Sequence, residues 1–305
     1  MLPYLTALRP RQWTKNLIVF AAPLFAFQLT PETIGRSVLA FILFCAVSSS
    51  FYLLNDWVDY EADRVHPIKR DRPIASGQVK RPIALGLAIV LILTSLSIAI
   101  LFNPLLAIAL MLYAAVQIAY NLRLKQVPIL DLFSITSGFV LRAYGGAIVN
   151  TITLSSWFVL CSAMLALFLA IEKRKAELRL HLKTFDGAKP TRKVLQYYSL
   201  PLLDRMETVV TTTTVMSYAL WSSGPQLKGA STSWMLITLP FVIYGIFRYQ
   251  MISDDSMISE GDRHSINPER PEEVLLRDRP ILLTVIGWAL CCGVILLLKS
   301  QGILG

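Results

Sequence analysis

The chain has 305 residues, 54% of them hydrophobic and 16% charged, with a mean hydropathy of +0.55 and a net charge of +9. A soluble domain of this length is richer in charge, so the composition argues against a water-soluble globule. The positive charge does not signal nucleic acid, because Lys and Arg gather in alternate loops between apolar runs, the distribution of a polytopic membrane protein.

Apolar runs of about 18 residues or more read as membrane spans. Nine are expected, over 13–29, 34–54, 82–102, 104–121, 130–149, 153–171, 207–223, 232–250 and 281–299. Lys15 and Asn16 interrupt the first, and Pro23 is placed to kink it. Arg9-Pro10-Arg11-Gln12-Trp13 leads into that span without the layout of a cleavable signal peptide, so the spans themselves are expected to direct insertion. The basic loops follow the even-numbered spans, and the opposite side holds only Arg36, Lys228 and Lys299. That asymmetry puts the N-terminus in the cytoplasm and the C-terminus outside. Residues 1–305 read as one all-α membrane domain with two polar cytoplasmic inserts, 172–206 and 253–280, which are lids or plain connectors. The loops on the outer side are short, as at Asn103-Pro104 and over 150–154.

The second span ends in Asn55-Asp56-Trp57-Val58-Asp59-Tyr60-Glu61-Ala62-Asp63. Carboxylates beside a membrane are costly and usually functional. On an ideal helix at about 100° per residue, Asn55, Asp59, Asp63 and Asp56 fall at roughly 0°, 40°, 80° and 100°, and Glu61 near 240°. Four polar groups thus share one arc, and Glu61 lies opposite. Arg64, Lys69, Arg70 and Arg72 follow at once. Clustered carboxylates beside clustered cations suit a divalent ion carrying a polyphosphate, since Mg²⁺ takes hard oxygen ligands and bridges carboxylates to phosphates.

Other polar groups recur at the ends of spans expected to face the cytoplasm. They are Gln12, Lys15 and Asn16; His66 to Gly77; Gln117, Tyr120 and Asn121; Lys125; Asp131; and Glu172-Lys173-Arg174. In the fifth span Asp131, Gly138 and Arg142 share a helical face, with Arg142 roughly 16 Å deeper than Asp131. A charge at that depth is expected to face a cavity or a partner. Gly138, Gly145, Gly146, Ser134 and Ser137 are expected to let that helix approach its neighbours closely. Cys45, Cys161, Cys291 and Cys292 lack metal-ligand spacing and read as small buried hydrophobes.

Asn55-Asp56-x-x-Asp59-x-x-x-Asp63 with Arg72-Pro73-Ile74-Ala75-Ser76-Gly77 resembles the first signature of the UbiA-type membrane prenyltransferase superfamily. The resemblance implies nine helices around a central cavity, an active site at the cytoplasmic face, and Mg²⁺ held on a diphosphate by Asn55, Asp56, Asp59 and Asp63. Aromatic prenyltransferases of the superfamily carry a second acidic pair, but here Asp131 stands alone, with Ile135 where the other acid would fall. The departure is similar to the decaprenyl-phosphate phosphoribosyltransferase branch. So are Arg9 to Asn16, Ser137 to Ala143, Glu172-Lys173-Arg174, and Glu272 to Asp278.

That branch implies a glycosyltransferase in the bacterial plasma membrane. It moves 5-phosphoribose from 5-phosphoribosyl 1-diphosphate to a polyprenyl (decaprenyl) phosphate and serves cell-wall arabinose-donor synthesis. The alternative is prenyl transfer from a prenyl diphosphate to a small aromatic or lipophilic acceptor. Asp56, Asp59, Asp63 and Lys15 are the expected catalytic groups. Lys15, Lys69, Arg70, Arg72, Tyr120, Lys125, Asp131, Arg142, Lys173 and Arg174 are the expected substrate contacts. Expected partners are the two substrates and the bilayer, with no nucleic acid; a homo-oligomer is left open.

Overall fold

The computed structural model of the protein describes residues 2–26, 28–65, 69–184, 193–254, 274 and 278–304. His66, Pro67 and Ile68, the middle of the 172–206 insert and nearly all of the 253–280 insert lie outside the described residues, as does the Glu272 to Asp278 block apart from Val274 and Asp278. Regular structure among the described residues is helical. The α-helices are α1 (Leu2–Ala7), α2 (Ala21–Phe25), α3 (Pro31–Val58), α4 (Tyr60–Val65), α5 (Arg81–Phe102), α6 (Pro104–Leu122), α7 (Leu130–Val149), α8 (Ser156–Thr184), α9 (Leu200–Ser222), α10 (Leu239–Ser253) and α11 (Arg279–Ser300). Short 3-10 helices join several of them, and a long one, Pro10–Phe20, leads into α2.

Helix starts follow capping chemistry. Thr30, Ser199 and Asp278 accept backbone N–H bonds at the starts of α3, α9 and α11, each with a proline in the first turn. Asn103 ends α5, and its side-chain oxygen accepts from Leu105 N at 2.9 Å to start α6, which makes the expected tight turn.

Among the described residues, seven helical segments are long and apolar enough to cross a membrane: Pro31–Val58, Arg81–Phe102, Pro104–Leu122, Leu130–Val149, Ser156–Leu182, Ser233–Ser253 and Arg279–Ser300. Two of the nine expected spans differ from this pattern. The run over 13–29 falls in the 3-10 helix and α2, with Lys15 and Asn16 within it. The run over 207–223 lies in α9, which opens with Asp204, Arg205 and Glu207 and continues through four threonines, Thr211 to Thr214. Apolar side chains point outward along the spanning helices, with Leu93, Leu101 and Leu290 all exposed. Such surfaces suit lipid as the solvent.

The chain divides into two units. The first contains Met1–Leu122 and Leu141–Thr153, and the second contains Arg123–Val140 and Leu154–Gly305. In the first unit α3 packs along α5 and against α6. The buried positions of α5 are Ala84, Ala88, Ser95 and Ala99, a stripe of small residues at helical spacing that lets two membrane helices approach closely. Gly145 and Gly146 meet the expectation of close approach. A Cβ on Gly146 would stand 1.9 Å from the Val19 carbonyl oxygen, and one on Gly145 would stand 2.4 Å from the Phe44 ring. In the second unit α8 packs along α9, and α10 along α11. Phe168 and Tyr249 meet edge-to-face at 5.4 Å in its core.

Candidate active site

In the first unit the acidic run is not one unbroken helix. α3 stops at Val58, and Asp59 caps its C-terminal end. The helical register nevertheless carries through. Asp59 N donates to Asn55 O at 2.9 Å, and Asp63 N donates to Asp59 O at 2.8 Å. Asp56 and Asp63 therefore stay on one face and are buried, each 2% exposed. Glu61 lies on the outer face, its side chain 78% exposed, as the helical arc required. Asp59 is half-buried, and its carboxylate accepts from Asn55 Nδ2 at 3.1 Å.

A carboxylate in the last turn of a long helix faces the negative end of the helix dipole. Burial adds a desolvation cost. Both costs call for cations, and two arginines supply them. Arg72 Nη1 lies 3.0 Å from Asp56 Oδ1 and 2.7 Å from Asp63 Oδ2. Arg9 Nη2 lies 2.6 Å from the same Asp56 oxygen. Lys69 Nζ stands 4.0 Å from Asp63, and Arg70 is exposed beside it.

The loop after α4 explains how Arg72 is aimed. Ile74 and Val79 are buried with Leu53, Ala84 and Ala88. Ser76 N and its hydroxyl both donate to the Arg72 carbonyl. Gly77 turns the chain with φ +80°, a conformation that costs glycine little. The Arg-Pro-Ile-Ala-Ser-Gly run is thus a compact anchor whose first residue is the acid-binding arginine.

A second cluster of the same unit surrounds Arg142. Its Nε donates to Asn16 Oδ1 at 2.5 Å, and its Nη2 donates to the Tyr113 hydroxyl at 2.7 Å. The guanidinium also sits 4.6 Å from the Tyr113 ring centre, and Gln117 donates to the Tyr113 oxygen at 2.9 Å. All three main members are buried, so the deep arginine has found polar partners rather than lipid. Lys15 is half-buried and donates to Gln12 at 2.5 Å, and Tyr120 is half-buried near the end of α6.

In the second unit Asp131 and Arg174 are paired with each other at 2.7 Å, both 0% exposed. The Tyr198 hydroxyl donates to Asp131 at 2.7 Å and accepts from Ile129 N. Burial pushes the Tyr198 phenol well above its usual pKa, and Asp131 adds to this against the opposing Ile129 hydrogen bond. The phenol therefore stays a proton donor. Lys175 pairs with Glu207, with Asp204 at 2.9 Å and with Glu172 at 3.3 Å. Lys125 and Lys173 are half-buried.

The structure thus brings Asp56, Asp63, Lys69 and Arg72 together. Sequence reasoning gave no site role to Arg9, Asn16 or Tyr113. The signal for Arg9 was its place seven residues before the buried Asn16, in a segment already rich in polar groups. For Tyr113 it was a phenol amid an apolar span that also needed a partner.

The donor chemistry of the acidic cluster suits Mg²⁺. Among the described residues no three His, Cys, Asp or Glu side chains converge into a ready-made metal site. Instead, the Arg72 guanidinium holds the place between Asp56 and Asp63. Two buried carboxylates gripping one cation mark a position built for positive charge, and in that sense the residues fit the ion.

The UbiA prenyltransferase family matches residues 17–261. Decaprenyl-phosphate phosphoribosyltransferase of Mycolicibacterium smegmatis is 40% identical over 295 residues, covering 92% of this chain and 88% of its own. The protein of that name from Corynebacterium glutamicum is 40% identical over 294 residues, covering 93% and 84%. The solved structure of a UbiA homolog from Archaeoglobus fulgidus bound to GPP and Mg²⁺ superposes with a TM-score of 0.69 at 18% identity, covering 96% of this chain and 99% of that one. That likeness is one of fold. A family match over most of the chain, with full-length relatives beside it, makes this protein a member of the UbiA prenyltransferase family.

Proposed function

We propose that the protein transfers 5-phosphoribose from 5-phosphoribosyl 1-diphosphate to a polyprenyl phosphate such as decaprenyl phosphate, releasing diphosphate. The observation that carries this reading is the 40% identity to phosphoribosyltransferases over 92% of the chain. The second acidic motif supports it. Asp131, the one acid there, is engaged by Arg174 and Tyr198.

In the transfer, the bond from ribose C1 to the diphosphate oxygen breaks, and an acceptor phosphate oxygen bonds to C1. Asn55, Asp56, Asp59 and Asp63 would hold Mg²⁺, which when bound neutralises charge growing on the leaving diphosphate. Lys69, Arg70 and Arg72 bind phosphate oxygens beside it, and preorganised cations of this kind favour the charge-separated transition state. The acceptor is already an anion, so no strong general base is required. Arg142, held by Asn16 and Tyr113, orients the acceptor phosphate, with Lys15 as a second cation. Lys125 and Lys173 are assigned to substrate binding from their place in the motifs, whereas Asp131 and Arg174, expected there from sequence, are fully buried against each other and hold the second motif in shape. The chain crosses the membrane nine times, with its N-terminus and the acidic cluster on the cytoplasmic side.

Thermal unfolding in detergent tests the donor, because a ligand that binds only the folded state raises its stability. Mg²⁺ with 5-phosphoribosyl 1-diphosphate is expected to raise the unfolding temperature. A shift with a prenyl diphosphate and none with the phosphoribosyl donor would replace this reading by prenyl transfer.

A further inference from the structure

Arg9 has three features that a mere surface ion pair does not need. Its backbone is left-handed, with φ 56° and ψ 61°, a strained conformation for a non-glycine residue that persists only where surroundings hold it. The surroundings do hold it. The Ser49 hydroxyl donates to Leu8 O at 2.9 Å and accepts from Trp13 Nε1 at 3.0 Å, so one side chain of α3 clasps the chain on both sides of Arg9. Ala7 is buried just before it. Finally, the guanidinium lies 4.9 Å from the Tyr52 ring centre, which fixes its plane.

This effort delivers a second guanidinium to an oxygen that already has one. Asp56 Oδ1 accepts from both Arg9 and Arg72. The acids are 2% exposed, whereas the arginine side chains are 30% and 27% exposed. The cations can therefore reach solvent without leaving their anchored backbones. One carboxylate oxygen cannot serve two guanidiniums and a small divalent cation at once, since like charges at contact distance repel strongly. Mg²⁺ also demands close, regular coordination.

We infer that Arg9 and Arg72 form a displaceable clamp, holding Asp56 and Asp63 until a divalent cation takes the carboxylates and then passing to the diphosphate of the donor. The inference rests on the metal–diphosphate reading of the acidic cluster and assigns it a loading rule. Metal alone must compete with two guanidiniums. Metal with diphosphate gives those guanidiniums a new anionic partner, which their fork of N–H donors matches well. By linkage, diphosphate then tightens the metal as much as metal tightens diphosphate. Arg9 is on this account a positioning residue of the donor site, and one that the acidic motif does not include.

The test counts bound Mn²⁺ by its paramagnetic resonance in the detergent-solubilised full chain, with and without inorganic diphosphate at buffered free Mn²⁺. Arg9→Gln is expected to tighten Mn²⁺ alone by roughly 10-fold, the effect of losing one charge-assisted hydrogen bond to the carboxylate. The gain on adding diphosphate should shrink by about the same factor. Arg9→Lys, which keeps the charge without the fork, should fall between wild type and Arg9→Gln, and it serves if the glutamine variant does not fold. If Asp56→Asn abolishes Mn²⁺ binding while both Arg9 variants bind like wild type, the clamp is wrong and the metal reading stands. If Asp56→Asn and Asp63→Asn both bind Mn²⁺ as wild type does, the metal reading fails and the clamp falls with it.

Discussion

Asp63 meets Arg72 in the first unit and Asp131 meets Arg174 in the second, each at 2.7 Å. The pairs differ in what surrounds the cation. Arg174 is 0% exposed, shared on α8 between Asp131 and Glu177, and Asp131 is further held by Tyr198. Arg72 is likewise shared between two acids, but it is 27% exposed and one of its acids also takes Arg9. A fully buried pair loses more by separation than it gains by existing, because either charge left alone in a low dielectric is expensive. A pair with a half-exposed cation can exchange partners. The comparison separates a locked pair from an exchangeable one, although both are written with the same two residue types.

Mutations on the exchangeable side should strike turnover. Asp63→Asn is expected to lower transfer by ~10³-fold or more, as loss of a principal electrostatic contact does. Insertion and detergent solubility should stay intact, as size-exclusion profiles can check. Asp59→Asn should follow it. Full Mg²⁺-dependent activity in both variants would remove the acidic cluster from the chemistry.

Mutations on the locked side should strike stability first. Arg174→Leu leaves the Asp131 carboxylate buried without its cation, at a cost of about 3–5 kcal/mol, readable in denaturant or thermal unfolding. The double variant Arg174→Leu with Asp131→Leu should recover much of that loss. Failure of the double variant to recover would show that the pair does more than balance itself.

A packing change in the first unit ranks next. Gly146→Ala drives a Cβ into the Val19 backbone, and overpacking of this kind costs about 1–3 kcal/mol. Wild-type thermal stability would mean that the two segments sit farther apart than described. The smallest effect belongs to Glu61→Gln. It lies on the far face of the acidic run with a side chain 78% exposed, so stability should change by no more than about 0.5 kcal/mol, with activity retained.

The helical arc of the acidic run was legible in the residues. Spacing alone separated Asp56 and Asp63 from Glu61, because a helical register survives the break at Asp59. The Asn103 turn and the close-approach glycines were legible for similar local reasons. The 3-10 geometry of the first expected span was not. Polar groups in 10–20 bond to α3 and α7, as Trp13 does to Ser49 and Asn16 to Arg142, and these tertiary partners are invisible to a hydropathy window. The divided fate of the arginines was equally hidden. Arg72 and Arg174 look alike in sequence, and only burial distinguishes them. Arg9 was passed over because a strained backbone and a shared carboxylate oxygen leave no mark on residue spacing.

The central claim is tested most directly by incubating the purified protein with Mg²⁺, radiolabelled 5-phosphoribosyl 1-diphosphate and decaprenyl phosphate, and following label into the organic phase. The account predicts label in lipid, lost with EDTA and lost in Asp63→Asn. Folded protein that leaves all label in water, yet moves a prenyl group from its diphosphate to a small lipophilic acceptor, would contradict it.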